Sequence, residues 1–188
     1  SRGLGDVYKR QVLGIYYLTQ ERPGAKGEGM VFKNVNEAIL AYENQEATLH
    51  SRVKVRVAKT LADGTVKTDI IESTIGRFIF NEIIPQDLGF VDRSVPGNEL
   101  KLEVDFHVAK KQLKQILEKV INVHGATQTA VTLDDIKAIG YKYSTRAAMT
   151  VSISDMTVPA SKPGLIEDAQ ATVDQIAKNY RRGLITEE

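Results

Sequence analysis

The chain has 188 residues, a formal net charge of +1, 42% hydrophobic and 26% charged residues, and no cysteine. This balance is typical of a globular protein with one ordinary domain, or one large domain with an appendage, and not of a disordered or membrane protein. The lack of cysteine excludes disulfides and thiolate zinc sites, and the near-neutral charge argues against a free-standing nucleic-acid-binding domain. These features suit a cytoplasmic protein, and we expect no membrane partner.

The first elements are a buried segment, a loop and a short helix. An apolar run at residues 12–19 predicts a short buried element, and a glycine- and proline-bearing stretch at residues 20–30 predicts a loop. Asn34 or Asn36 then offers a side-chain oxygen that can cap a short helix. Three glycines of the loop could cradle a phosphate, but their spacing matches no phosphate-binding motif, which favours a connecting loop; they are Gly24, Gly27 and Gly29.

An alternating segment and its return predict a β-hairpin. Valines alternate with cations in the first strand, which is the period-two pattern of a half-buried strand; the cations are Arg52, Lys54 and Arg56. An Asp-Gly turn at residues 63–64 joins this strand to an alternating return. The cationic stripe is either a solvated strand face or a surface that meets phosphates, and the solvated face is the more ordinary interpretation.

Three helices are predicted in the middle of the chain. The first begins near Ser73, with Gly76 as a weak point inside it, and an irregular connection follows. The second has apolar residues at helical spacing and ends at Gly125. The third begins at Thr132, where Asp135 completes a capping box.

The C-terminal part combines a predicted strand with a predicted coiled-coil helix. The stretch MTVSISD, residues 149–155, alternates apolar and polar residues and therefore predicts a strand. A helix that begins at Pro163 carries apolar residues at spacings of three and four, which is a coiled-coil seam and implies a partner helix. The seam residues are Ile166, Ala169, Val173, Ile176 and Tyr180. The expected fold class is α+β, with short helices and a β-hairpin followed by a long C-terminal helix of the coiled-coil type.

The residues that could carry chemistry form no recognisable catalytic or metal-binding motif. Three histidines are far apart in the sequence and share no ligand spacing: His50, His107 and His124. Helix capping explains the aspartates at positions 134 and 135 at least as well as metal binding does. Two tyrosines and an arginine form either an aromatic–basic cluster or a helix contact with the arginine in solvent; they are Tyr141, Tyr143 and Arg146. We predict no catalytic residue and no metal ligand in this chain.

Five longer phrases are more specific than any of these patterns. They are VLGIYYLTQERPGAKGEGMVF, LHSRVKVRV, TIGRFIFNEIIP, YKYSTRAAMTVSISDMTVP and YRRGLITEE, in this order between Val12 and Glu188. In sequence and in order they resemble the β′ subunit family of bacterial DNA-directed RNA polymerase, especially its Firmicutes versions, clostridial and bacillar. The resemblance covers almost the entire chain.

The resemblance implies a place in the enzyme that synthesises RNA on a DNA template from ribonucleoside triphosphates. Residues 12–160 would form a pore domain that lines the nucleotide-entry channel, and residues 161–188 would begin the funnel, whose rim helix binds secondary-channel factors. The pore-lining candidates are Arg22, Lys26, Lys142, Ser144, Thr145 and Arg146. The implied partners are the β, α, ω and sigma subunits, together with template DNA and RNA.

The chain also departs from that family. The family binds its catalytic Mg²⁺ through aspartates of an N-A-D-F-D-G-D motif, which does not occur in these 188 residues. No catalytic carboxylate is therefore carried over, and the chain alone is expected to be inactive. The hexapeptide DVYKRQ stands where the family has another phrase, so residues 1–11 are expected to be a non-native leader. The alternative function is a non-enzymatic α+β interaction module whose coiled-coil arm binds a partner.

Overall fold

A computed structural model describes residues 2–156 of the chain and the side chains of residues 8–150. Four helices and one three-stranded sheet occur in this part, which confirms the predicted α+β class. The predicted coiled-coil seam lies outside the described residues. In chain order the elements are α1 (Arg2–Leu18), β1 (Val31–Phe32), α2 (Val35–Glu43), β2 (Arg52–Thr60), β3 (Val66–Thr74), α3 (Ile75–Asn81) and α4 (Lys110–Met156).

The predicted hairpin forms two of the three strands. β2 pairs with β3 in antiparallel register, with Val55 opposite Ile71, and β1 adds a short parallel strand on the other side of β2. The turn closes with a distance of 2.8 Å between the Leu61 amide nitrogen and the Thr65 carbonyl oxygen. Gly64 supplies the left-handed backbone that this turn requires, with φ of 85°. The alternation and the Asp-Gly pair were therefore sufficient to predict this element.

One face of the hairpin builds the hydrophobic core together with α1 and α3. Val53 and Val55 of β2 are fully buried, whereas the cations that alternate with them lie on the other face. Phe78 and Phe80 of α3 and Ile15 of α1 are at most 1% exposed and belong to the same cluster. Removing such apolar surface from water stabilises a fold by roughly 25 cal/mol per Å².

Side-chain caps fix where two short helices begin. Asn34, and not Asn36, caps α2, because its side-chain oxygen accepts a hydrogen bond from the Glu37 amide at 2.8 Å. Thr74 caps α3 in the same way and accepts from the Arg77 amide at 3.2 Å. The start of α3 is thus close to its predicted position.

Close backbone contacts require glycine at three positions. A Cβ atom on Gly76 would lie 1.8 Å from the carbonyl oxygen of Leu18, so the predicted weak point of α3 instead allows α3 to approach the end of α1. α1 and α4 cross in the same manner. A Cβ on Gly14 would lie 1.7 Å from the carbonyl oxygen of Gly140, and a Cβ on Gly140 would lie 2.4 Å from that of Gln11. Any side chain at these positions would force the backbones apart.

α4 consists of two helical arms joined at Gly125. This residue has φ of 85° and ψ of −178°, and it ends the first arm where the sequence predicts a helix end. The second arm begins at once, so the predicted capping box of Thr132 and Asp135 is wrong: Thr132 is fully buried inside a continuing helix. Because a single glycine redirects the chain, no loop and no separate N-cap are needed at Thr132.

The predicted strand at residues 149–155 is also wrong, because this stretch is the end of α4. Its alternation covers only a few residues, and so short a run is also compatible with a helix. In the preceding turns Tyr143 and Ala147 are buried at a spacing of four, and Thr150 donates to the carbonyl oxygen of Arg146 four residues earlier. Packing of α4 against α1 therefore outweighs the local strand preference of the β-branched residues.

Candidate functional site

The last turn of α1 is fastened by side chains from distant parts of the chain. A helix end leaves carbonyl oxygens without intrahelical partners, and these must be satisfied elsewhere. Nε2 of His107 donates to the Tyr16 carbonyl, and Nε2 of His50 donates to the Tyr17 carbonyl, both at 2.8 Å. The Thr19 hydroxyl donates to a carbonyl one turn earlier, also at 2.8 Å. Two histidines that have no relation in the sequence therefore serve one helix end.

The surroundings of His50 fix its tautomer and its charge. A carbonyl oxygen only accepts hydrogen bonds, so the hydrogen of the neutral ring is on Nε2. Burial lowers the pKa of His50 to about 4, and the ring is therefore neutral near pH 7. The ring also meets the Tyr17 ring edge-on, with the two centroids 4.6 Å apart. His124 makes a different contact, in which its Nε2 lies 2.6 Å from Asp87 Oδ1.

Two arginines and two carboxylates form an ion network beside this turn. Arg77 of α3 is 6% exposed, and its Nε donates to the Thr19 carbonyl at 2.9 Å. Its Nη1 lies 3.3 Å from both Glu21 Oε1 and Asp105 Oδ1. Arg52 of β2 contacts the same two carboxylates at 2.8 and 3.2 Å. The network ties α1, β2, α3 and the segment before α4 together, with compensated charges.

A buried carboxylate organises the irregular connection after α3. Glu103 is 2% exposed and accepts hydrogen bonds from the backbone amides of Leu88, Gly89 and Val91 at 3.0, 3.2 and 3.1 Å. Nη2 of Arg93 lies 3.6 Å from this carboxylate. The sequence analysis missed both the arginine network and the Glu103 carboxylate, because the partners in each are far apart in the chain and no motif marks them.

Arg146 of α4 contacts two tyrosines and, among the described residues, makes no ion pair with a carboxylate. Its Nη1 donates to Tyr42 Oη at 3.1 Å, and its Cζ lies 5.6 Å from the ring centroids of both Tyr42 and Tyr143. The hydrogen bond to Tyr42 raises the pKa of Arg146, and burial raises the pKa of Tyr143 to about 12. Tyr141 is 58% exposed. The aromatic–basic cluster is present, but its second ring comes from α2 and not from Tyr141.

Tyr17 connects α1 to the turn of α4 that carries Arg146. Its hydroxyl donates to Thr150 Oγ1 at 3.5 Å, and Thr150 donates in turn to the Arg146 carbonyl at 2.9 Å. Burial raises the pKa of Tyr17, whereas the hydrogen bond to Thr150 and the charges of Arg22 and Arg146 lower it. The charges of two cations from distant parts of the sequence therefore act on the same hydroxyl.

Two of the pore-lining candidates lie on the loop after α1. Arg22 and Lys26 are both exposed, and Arg22 donates to Gln20 Oε1 at 3.3 Å. The glycines of this loop adopt positive φ in successive turns. The Gly24 amide donates to the carboxylate of Glu28 at 2.5 Å, so an anion of the chain itself occupies this donor. The loop is a connection, as the sequence favours.

The other candidates lie along α4 and differ in what they offer. Lys142 is exposed, with its Nζ 5.4 Å from the ring centroid of Tyr143. Ser144 is buried, and its hydroxyl donates to the Tyr141 carbonyl at 2.9 Å. The Thr145 hydroxyl is exposed and donates to the same carbonyl at 3.0 Å. Within the described part of the chain the lysine makes no ion pair, whereas both hydroxyls are engaged with their own helix.

The described residues do not fit a Mg²⁺ site. Among the side chains that the structure describes, no three of the metal-ligating types come together, and the carboxylates of Glu21 and Asp105 are already neutralised by arginines. On the hairpin, Lys54 and Arg56 are exposed and form a solvated face. Among the described residues no helix is both long enough and apolar enough to cross a bilayer.

Comparison with known proteins gives a consistent result. The family profile described as RNA polymerase Rpb1, domain 3, matches residues 10–156. Over 177 residues the chain is 68% identical to the DNA-directed RNA polymerase subunit beta′ of Lachnoclostridium phytofermentans, 55% to that of Acetivibrio thermocellus and 54% to that of Clostridium acetobutylicum. Each match covers 94% of this chain but only 14% or 15% of the relative, so the chain spans a small part of these proteins.

Proposed function

Because the chain belongs to the RNA polymerase Rpb1 domain 3 family and forms part of a β′ subunit of DNA-directed RNA polymerase, we propose that it lines the pore through which ribonucleoside triphosphates enter. The observation that carries this proposal is Arg146. It is a half-buried cation framed by two tyrosine rings, with no carboxylate in ion-pair contact among the described residues. A guanidinium with free donors binds phosphate oxygens in a bidentate manner, and triphosphate is the anion that a polymerase admits.

Further cations support the same path. Lys142 lies one helical turn before Arg146 on α4, and the charges of Arg22 and Arg146 both lower the pKa of Tyr17. Lys26 adds an exposed charge on the loop of Arg22. Cations of one sign along a channel raise the local concentration of an anionic substrate and speed its entry. Of the two hydroxyl candidates on α4, the exposed Thr145 would form part of the wall beside these cations, whereas Ser144 is buried.

The contribution of the chain to RNA synthesis would be positional. In the complete enzyme the 3′ hydroxyl of the RNA attacks the α-phosphate of the triphosphate, and pyrophosphate leaves. The residues of this chain would bind the triphosphate during entry and orient it. The Mg²⁺ ligands would come from residues outside this chain, and the chain alone would be inactive.

The assignment also implies a set of partners. Residues 12–160 would pack against the other polymerase subunits β, α, ω and sigma, near template DNA and RNA, in the cytoplasm. Residues 161–188 would begin the rim helix that binds secondary-channel factors. The alternative of a stand-alone interaction module depends on the coiled-coil arm, and no described contact favours it.

The test is the Michaelis constant of the complete polymerase for a ribonucleoside triphosphate. Arg146→Ala in the full-length β′ subunit should raise KM by about three- to tenfold and change kcat less than twofold, because a charged hydrogen bond to substrate is lost. Lys54→Ala removes an exposed cation from the hairpin and serves as the matched control. A KM for Arg146→Ala equal to that of Lys54→Ala would contradict the proposal.

A further inference from the structure

We propose that Tyr42 is a positioning residue that presents the guanidinium of Arg146 to the polyphosphate of the incoming nucleotide. This inference rests on the proposed function and concerns how the same site works. Tyr42 comes from α2 and Arg146 from α4, so the contact joins two elements that are far apart in the sequence.

The first argument is that Arg146 is held before any ligand arrives. Its Nη1 donates to the Tyr42 hydroxyl at 3.1 Å, and the rings of Tyr42 and Tyr143 lie against its guanidinium at equal centroid distances of 5.6 Å. A free arginine side chain loses considerable rotamer freedom when it binds a ligand. Because these three contacts already restrict the side chain, less freedom remains to be lost on binding.

The second argument is that the clamp leaves the charge available. Among the described residues Arg146 makes no ion pair, and the nearby carboxylate of Glu43 acts on it only through its field. The hydrogen bond to Tyr42 engages Nη1, whereas Nε and Nη2 have no hydrogen-bond acceptor in the described part of the chain. Two adjacent N–H groups of a guanidinium match two oxygens of a phosphate. A carboxylate in the place of Tyr42 would instead have neutralised the arginine.

The third argument concerns the Tyr42 hydroxyl itself. It accepts a hydrogen bond from Arg146, and a phenol that accepts can still donate its own hydrogen. Among the described residues Tyr42 Oη makes no other hydrogen bond, so its hydrogen can be donated to a phosphate oxygen that Arg146 binds. The hydroxyl thus fixes the direction of the guanidinium without competing for the anion.

The experiment measures kcat and KM for single-nucleotide addition by the complete polymerase with full-length β′ variants. Tyr42→Phe keeps the ring and removes the hydroxyl, and it should raise KM about threefold with kcat unchanged within twofold. Tyr141→Phe removes the hydroxyl of an exposed tyrosine on α4 and should change neither constant. Inorganic triphosphate, used as a competing anion, should inhibit the Tyr42→Phe enzyme about threefold more weakly than the parent.

A double-mutant cycle separates positioning from a general structural role. In an Arg146→Ala background Tyr42→Phe should have no further effect on KM, because its target is gone. An undiminished effect in that background, or a Tyr42→Phe enzyme that behaves like Tyr141→Phe, would overturn the inference while leaving the role of Arg146 intact. An Arg146→Ala enzyme with a normal KM would overturn the proposed function and this inference together.

Discussion

Arg77 lies among hydrogen-bond acceptors, whereas Arg146 lies among aromatic rings. Arg77 is 6% exposed and contacts a backbone carbonyl and two carboxylates, one from Glu21 and one from Asp105. Arg146 is half-buried and contacts the hydroxyl of Tyr42 and two ring faces. The side chain is the same, but among the described residues only Arg77 has carboxylates in ion-pair contact.

The difference separates an arginine that holds the fold from one that is available to a ligand. A buried charge is tolerated when carboxylates and carbonyls surround it, and such a residue has no donor left for another molecule. A guanidinium between two rings is oriented but remains charged and has free N–H groups. Variants of Arg77, His50 and Gly14 test the contacts that hold the fold, whereas variants of Arg146 and Tyr42 test the contacts that are available to a ligand.

The largest effect is expected from Arg77→Ala. Without the guanidinium, the Thr19 carbonyl loses its donor and the carboxylates of Glu21 and Asp105 each lose one of their two arginines. The free energy of unfolding should therefore fall by about 3 kcal/mol or more. Arg52→Ala is the matched control, because Arg52 contacts the same carboxylates but is more exposed, and its loss should be about 1 kcal/mol. The measurement is thermal or urea unfolding of the β′ subunit variants. Equal losses for the two variants would abolish the distinction between them.

A pH-dependent loss of stability is expected from His50. Its folded pKa of about 4 lies below the ordinary value of 6.5, so in the window between these values the unfolded chain binds a proton that the folded chain does not. The contribution of His50 to the free energy of unfolding should therefore be complete above pH 6.5 and fall by about 1.4 kcal/mol per pH unit toward pH 4. Urea unfolding at several pH values measures the slope.

Two substitutions check the source of that slope. His50→Gln keeps an N–H donor for the Tyr17 carbonyl and should remove this contribution to the slope. His124→Gln, which alters the more exposed pair with Asp87, should leave it unchanged. If His124→Gln abolishes the slope instead, the hydrogen bond from His50 to the end of α1 is not its cause.

The smallest of the three effects is expected from Gly14→Ala at the crossing of α1 and α4. The added methyl group would collide with the Gly140 carbonyl, and overpacking of this kind costs about 1–3 kcal/mol. Because the helices must shift, KM for nucleotide should also rise, although Gly14 is not part of the arginine cluster. Gly64→Ala is the control: its Cβ meets open space, so only the left-handed backbone is strained. A normal KM in Gly14→Ala would mean that the crossing does not position Arg146.

Local sequence signals predicted the elements that depend on local physics. The alternation of valines predicted the hairpin, Asn34 was one of two predicted caps, and Gly125 ended a helix as expected. The strand expected at residues 149–155 was wrong because a short alternating run does not distinguish a strand from a helix that packs on one side. The resemblance identified the family, and it did so through long phrases and not through single motifs.

The contacts of the candidate site depend on tertiary structure that no local pattern contains. Tyr42 reaches Arg146, and His50 reaches Tyr17, only because the fold brings distant elements together. The sequence predicted Gly76 to be a weak point of its helix, because the close approach of the end of α1, which requires a glycine there, is not visible in the sequence. Sequence reasoning could name Arg146 as a candidate, but it could not supply the ring from α2 that orients it.

Where Gly14 meets Gly140, no side chain separates α1 from α4, so the main chains themselves limit how closely the helices approach. In most helix pairs the distance depends on the side chains at the contact and is about 8–10 Å. At Gly14 and Gly140 this distance is fixed, because glycine is the smallest residue and any larger residue would collide with the backbone of the other helix. Tyr17 and Arg146 lie a few residues beyond it on their two helices, so their relative height is inherited from backbone geometry. The spacing of these two side chains therefore depends on glycine at positions 14 and 140.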